Sequence, residues 1–75
     1  MKLKKDLELV PFLKDVKQCQ ADVWLITQKE DRLNLKSFLT QCILVAMPDK
    51  KNVLNHSRLE CDHRDREKLE KWCLL

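Results

Sequence analysis

The sequence predicts a small α+β fold, an open-faced sandwich in which helices pack on one face of a short antiparallel sheet. Segments with apolar residues at helical spacing alternate with short segments of β-branched or alternating residues, and polar turns separate them. The expected element order is α-β-β-α-β-α. A chain of 75 residues leaves room for one small core, so we expect a single domain over residues 1–75.

The first helix is expected over about residues 11–18, because a proline is tolerated in the first turn of a helix and Pro11 precedes apolar residues at helical spacing. A strand should follow over residues 23–27 and a shorter one over residues 32–35. The polar turn between them contains no glycine, and we expect it to join the two strands as a hairpin.

The second helix should begin at Ser37, whose hydroxyl is suited to accept a hydrogen bond from a free backbone N–H of the first turn. Pro48 cannot continue a helix and should end it before a polar turn. The side chains expected to form its apolar, core-facing stripe are Phe38, Leu39, Cys42, Ile43 and Ala46.

A last strand over residues 57–61 and a final helix complete the pattern. Asp62 should cap this helix, with Asp65 in the place of a capping-box acid. Glu67 and Lys71 lie one turn apart and should form an ion pair. The side chains expected on the buried side are Leu69, Trp72 and Cys73.

Charge and hydropathy restrict the partners and the compartment. The net charge of +3 is spread among acidic residues in every segment, so nucleic-acid binding is not expected. Asp6 and Glu8 interrupt any apolar core of a secretory signal, and no apolar run approaches the length of a membrane span. We therefore expect a cytoplasmic protein that does not enter a membrane. Its four cysteines should be reduced and serve as small buried hydrophobic residues.

Residues suited to metal binding or catalysis do not fall into a useful pattern. Two histidines and two cysteines near the carboxyl end invite a zinc interpretation, but their spacing lacks the pairs that zinc sites use. The chain has no glycine, so it has no phosphate-binding loop of the usual kind. The expectation is a protein without metal, cofactor or enzymatic activity. The four residues weighed for zinc are His56, Cys61, His63 and Cys73.

The segment Leu33-Asn34-Leu35-Lys36-Ser37, placed between a strand and an apolar helix, resembles the middle of HPr, the phosphocarrier of the bacterial sugar phosphotransferase system. The order of elements is similar to that of HPr over about residues 7–75. HPr carries phosphate on a histidine at the start of its first helix, a position that falls near Asp6 here. No histidine precedes His56, so the resemblance implies the architecture without carrier activity.

The resemblance also implies a regulatory site and a partner surface. Ser37 matches the serine that a dedicated kinase phosphorylates in some members of the family, and the plain alternative is that it only caps the helix. Phosphate at a helix N-terminus is electrostatically favourable. The residues expected to bind a partner protein, around the start of the second helix, are Asn34, Lys36, Ser37, Thr40 and Gln41.

These observations predict a non-enzymatic, HPr-like domain that regulates another protein by binding it, gated at Ser37. The alternative is a small inhibitor or accessory protein of a phage or other mobile element that acts on a nucleic-acid-processing enzyme. The apolar end of the chain suggests a further expectation, a homodimer formed through Trp72, Leu74 and Leu75.

Overall fold

The computed structural model describes residues 1–74, which form five short strands and four α-helices. In chain order these are β1 (Lys2–Leu3), α1 (Leu9–Lys17), β2 (Val23–Ile26), β3 (Arg32–Asn34), α2 (Phe38–Ala46), α3 (Lys50–Asn55), β4 (Arg58–Cys61), α4 (Arg66–Leu69) and β5 (Cys73–Leu74). Single turns of 3-10 helix, His63–Asp65 and Glu70–Trp72, flank α4. Residues 63–72 are called the C-terminal helical segment below.

The strands form one antiparallel sheet in the order β3-β2-β4-β1-β5. The hairpin of β2 and β3 is present as expected, and β4 lies on the other side of β2. Cross-strand neighbours Leu33, Leu25 and Leu59 lie side by side and contribute to the core beneath the helices. The predicted class, an α+β sandwich on an antiparallel sheet, is confirmed.

The core lies between the sheet and the helices. Each of the four helices sends at least one leucine or other apolar side chain into it, and α1 sends the most. Phe12, Val16, Leu25 and Leu69 are completely or almost completely shielded from solvent. The core is continuous from β1 to β5, so short elements at both ends of the chain depend on the same packing.

Charged side chains lie over the central strands on the opposite face of the sheet. Ile26 lies on this face and is nonetheless buried, because its cross-strand neighbours are Arg32 and Arg58. Arg32 pairs with Glu60 at 3.2 Å, and its guanidinium also stands 5.2 Å from the centre of the Trp24 ring. Alkyl stems of arginine can cover apolar surface while their charged ends stay in water, which accounts for the burial of Ile26 on this face.

The predicted order of elements omits three that the structure contains. β1 and β5 have two residues each, too few to show an alternating pattern, and they are held by pairing with neighbours distant in sequence. α3 occupies the polar segment expected to be a turn, where only Val53 and Leu54 are apolar. The helix expected from Pro11 begins two residues earlier, at Leu9, so that Pro11 still lies in its first turn.

The C-terminal helical segment differs from the prediction in its contacts. Asp62 does cap it, accepting a hydrogen bond from the backbone N–H of Arg64 at 2.9 Å. The capping box is wrong, because the Asp65 carboxylate is buried and accepts hydrogen bonds from residues 20 and 21 instead. Lys71 forms an ion pair with Asp15 at 3.0 Å, and not with Glu67 as predicted. Leu69 and Cys73 are buried as expected, and Trp72 is partly buried.

Candidate protein-binding surface

The second helix is fixed at both ends by side chains. Ser37 has an extended backbone conformation, and its hydroxyl accepts a hydrogen bond from the backbone N–H of Thr40 at 3.4 Å, which confirms it as the N-cap. At the other end the Lys50 Nζ donates to the carbonyl oxygen of Val45 at 2.9 Å. These contacts satisfy backbone groups that a helix end leaves without partners.

The face that α2 turns to the core is not the predicted one. Gln41 and Leu44 are its buried residues, and the Gln41 Nε2 donates to the carbonyl oxygen of Leu35 at 2.8 Å. The expected apolar stripe is exposed: solvent reaches 76% of Phe38, 69% of Leu39 and 53% of Ile43. Cys42 and Ala46 are exposed as well.

The prediction failed because α2 is apolar almost all round. Only Thr40 and Gln41 are polar in its nine residues, so apolar spacing does not select one face. The buried face is chosen by Leu44 and by the amide of Gln41, which completes the hydrogen bonding of a carbonyl group in the preceding loop. An unpartnered buried carbonyl would cost free energy, and Gln41 removes that cost.

The exposed residues form an apolar arc that covers the whole outward side of α2. At 100° per residue, they span less than half of the helix circumference and no polar residue interrupts them. We call this surface the α2 arc; it consists of Phe38, Leu39, Cys42, Ile43, Val45 and Ala46. Helices that are apolar on every side are normally covered on every side, and contiguous exposed apolar patches mark binding sites in monomeric proteins.

A groove of about 380 Å³ runs between the α2 arc and α1. Phe38, Cys42 and Val45 line it from α2, and Val10 and Leu13 line it from α1. Val10 is itself 54% exposed and extends the apolar surface across the groove. The two lysines of α1, Lys14 and Lys17, stand one helical turn apart along the same wall.

The electrostatic character of this surface is positive. No acidic residue lies between Asp31 and Asp49 in the sequence, so α2 and the loop before it contribute none. On α1 the single carboxylate, Asp15, is held away from the groove by the Trp72 indole N–H at 2.8 Å and the Lys71 ammonium at 3.0 Å. These contacts lower the pKa of Asp15 below its usual value.

The structure brings the predicted partner-binding residues together at the start of α2, but several are occupied by internal contacts. Asn34 accepts a hydrogen bond from the backbone N–H of Lys36 at 3.0 Å, and the Lys36 ammonium donates to the carbonyl oxygen of Cys19. Ser37 and Thr40 are partly exposed. Gln41 is only 7% exposed, so its expected place on the surface is corrected to the core side of α2.

The four thiols are free, but they do not share one environment. Cys19 and Cys73 are buried and Cys61 is partly buried, and burial raises the pKa of each of these thiols. Cys42 is exposed in the α2 arc, against the expectation that all four are buried. It is exposed because α2 turns its Leu44 face to the core.

The residues expected to form a homodimer are only partly available. Trp72 packs edge-on against Phe12, with ring centres 5.8 Å apart, and its indole N–H is bonded to Asp15. Leu74 is 53% exposed on β5, and Leu75 lies outside the described residues.

Within residues 1–74 no three His, Cys, Asp or Glu side chains are grouped so that they could hold a metal ion. The helices of the same range are all too short or too polar to cross a bilayer. Comparison of the chain with protein-family models, with curated proteins and with solved structures finds no match in any of the three.

Proposed function

We propose that this chain is a non-enzymatic, HPr-like regulatory domain of the cytoplasm that acts by binding another protein. The observation that carries the proposal is the α2 arc, with Phe38 and Leu39 more than two-thirds exposed on a helix that is apolar all round. Such a surface is costly to leave in water, and a partner protein that covers it gains the corresponding hydrophobic stabilisation.

The likeness to HPr is supported by the order of elements and by the position of Ser37. A short strand precedes the first helix, a hairpin leads into the Leu33–Ser37 segment, and Ser37 caps the next helix. Asp6 stands ahead of α1, where a carrier needs a histidine. The proposal therefore includes partner binding and excludes phosphate transfer.

Ser37 is proposed as the gate of the surface. The residue is partly exposed at the edge of the α2 arc, next to Phe38. A phosphate there would add about two negative charges at the start of an apolar contact surface. Partner binding would then fall, because desolvating that charge in the interface is unfavourable.

The test is capture of a partner from the native host by the purified chain, compared across matched variants. Ile43→Ser and Leu74→Ser alter two side chains that are each 53% exposed, one in the α2 arc and one on β5. We expect Ile43→Ser to abolish capture of a specific protein and Leu74→Ser to leave it intact. Loss with Leu74→Ser alone would move the binding site to β5 and overturn the proposal.

The identity of the captured protein separates this function from its alternative. Sugar-transport or kinase proteins agree with an HPr-like regulator, whereas enzymes of defence or replication favour the inhibitor of a nucleic-acid-processing enzyme.

The absence of carrier activity is tested separately. Incubation with the general phosphotransferase enzyme and phosphoenolpyruvate should leave the chain without phosphohistidine, because no histidine precedes His56 and that residue lies after α3. The authentic phosphocarrier serves as the positive control. A stable phosphohistidine on this chain would contradict the proposal.

A further inference from the structure

We infer that the groove between α1 and α2 receives an amphipathic helix of the partner, with an apolar stripe flanked by acidic residues. This inference rests on the proposed function and specifies the partner's chemistry. It is drawn from the shape of the groove, its apolar lining and the two lysines on its α1 wall.

The shape favours a helix. The groove lies between two helices of nine residues each, so its walls are about 13 Å long. An apolar stripe at positions i, i+4 and i+7 of a partner helix has a similar length and can pack between the two walls. On this chain the wall residues Phe38, Cys42 and Val45 have the same spacing.

The charges favour acidic residues on the partner. Lys14 and Lys17 are exposed, lie one turn apart and line the groove, with no acidic residue among its lining side chains. Glutamates spaced one turn apart on the partner helix would meet them in register. Complementary charge of this kind fixes orientation and selects among partners more than it adds affinity.

The same charges argue against a second copy of this chain as the occupant. A twofold axis through the groove would place the same patch on both sides, and Lys14 and Lys17 of one copy would then approach those of the other. No carboxylate in the groove lining is available to compensate that repulsion.

The test uses two designed helical peptides of about 18 residues, or roughly five turns. Both carry the same leucine stripe; one has glutamates beside the stripe and the other has lysines at the same positions. Binding of each fluorescently labelled peptide to the full chain is measured at low and high salt. We expect the glutamate peptide to bind at least about fivefold more tightly, with a preference that shrinks in high salt.

Two variants make the outcome specific. The double substitution Lys14→Glu with Lys17→Glu should reverse the preference between the peptides, because it replaces the two positive charges of the α1 wall with negative ones. Both residues are exposed, so the substitutions leave the core unchanged. Phe38→Ser should weaken both peptides, while Leu74→Ser should change neither.

Each other outcome overturns the inference. Equal binding of the two peptides, or binding of neither, rules out an acidic helix as the occupant. Self-association of the chain in sedimentation that Phe38→Ser removes would identify a second copy instead. If Lys14→Glu with Lys17→Glu leaves capture of the native partner intact while Ile43→Ser abolishes it, the partner-binding function stands and only the acidic-helix inference fails.

Discussion

Ser37 caps α2 through its hydroxyl group, the same group that we propose as the regulatory gate. The oxygen accepts the Thr40 N–H and the backbone carbonyl of Ser37 accepts the Gln41 N–H, so the residue holds the first turn of α2 in two ways. Its side chain is still partly exposed. The cap explains why a serine stands there, and the exposure is what a modifying enzyme would need.

Substitutions at Ser37 separate these two properties. Ser37→Ala should lower the free energy of unfolding by about 1 kcal/mol, because it removes the cap. Ser37→Asp should preserve stability, because a carboxylate also caps and interacts favourably with the helix N-terminus. Both are measured by denaturant unfolding.

The affinity of the Ser37→Asp variant for the captured partner then tests whether Ser37 gates the surface. At matched folding, Ser37→Asp should bind more weakly than the wild type because it places a charge at the edge of the α2 arc. Ser37→Asn caps without a charge and serves as the control. Equal affinities for wild type and Ser37→Asp would reduce Ser37 to a structural cap.

The thiols give a residue-level measure of which face of α2 is outward. Under native conditions Cys42 should react readily with a thiol reagent because it is exposed, and Cys19 and Cys73 should react only when the chain unfolds because they are buried. The readout is mass spectrometry of labelled peptides over time. Protection of Cys42 in a monomeric sample would contradict the orientation of α2 described above.

Reductants and chelators should leave the melting temperature of the chain unchanged, because its thiols are free. A large drop in the melting temperature with either reagent would contradict this prediction.

At the scale of elements, the position of α2 was predictable from the sequence, but the face that it turns to the core was not. The position of the helix, its Ser37 cap and its end before Pro48 followed from local rules, and all three are present. Its orientation did not follow, because an apolar helix offers several equivalent faces. The choice depends on the fit of Leu44 beneath the sheet and on a hydrogen bond from Gln41 to Leu35, which are tertiary contacts that leave no periodic signal.

The same ambiguity affected the candidate partner surface. The prediction placed that surface at the start of α2 through the Leu33–Ser37 segment, but the side chains it singled out were polar ones. The exposed apolar residues Phe38, Leu39 and Ile43 had been assigned to the core by their spacing. The one available signal was the excess of apolar residues in α2, which is more than a single buried face requires.

Two neighbouring residues on α2 test this orientation directly. Leu44→Ala should destabilise the fold by about 2–5 kcal/mol, because Leu44 is completely buried. Ile43→Ala removes a similar volume from an exposed site and should stay within about 0.5 kcal/mol of the wild type. The free energy of unfolding of both variants is measured by chemical denaturation, by linear extrapolation to zero denaturant. A larger loss for Ile43→Ala than for Leu44→Ala would mean that α2 packs with its other face inward.

At the scale of the whole molecule, two carboxylates connect the C-terminal helical segment to the first third of the chain. Asp65 is fully buried and accepts hydrogen bonds from the backbone N–H groups of Gln20 at 2.9 Å and Ala21 at 3.1 Å. Asp15 on α1 accepts from the Trp72 indole. These contacts span 44 to 57 residues of sequence, and no local pattern in the sequence predicts contacts over such a separation.

The two carboxylates make the stability of the molecule depend on pH in a defined direction. Hydrogen bonds from Gln20, and secondarily from Ala21, lower the pKa of Asp65, and those from Trp72 and Lys71 lower the pKa of Asp15. A carboxyl whose pKa is lower in the folded state stabilises the fold above its unfolded pKa, here 3.8. That contribution is lost as the pH falls below this value through the folded pKa.

We therefore expect the denaturation midpoint to decline as the pH falls below about 4. Asp65→Asn should lower the midpoint at neutral pH, because one oxygen is replaced by an amide N–H₂ that cannot accept the second backbone N–H. The Asp65→Asn variant should also show a shallower decline of the denaturation midpoint at low pH, since the titrating carboxyl group is gone. Asp22→Asn removes an exposed carboxylate from the neighbouring turn and serves as the control for loss of charge. If the midpoint of Asp65→Asn declined at low pH as steeply as that of the wild type, protonation of Asp65 would not be the cause of the acid destabilisation, and the role assigned to this carboxylate would be wrong.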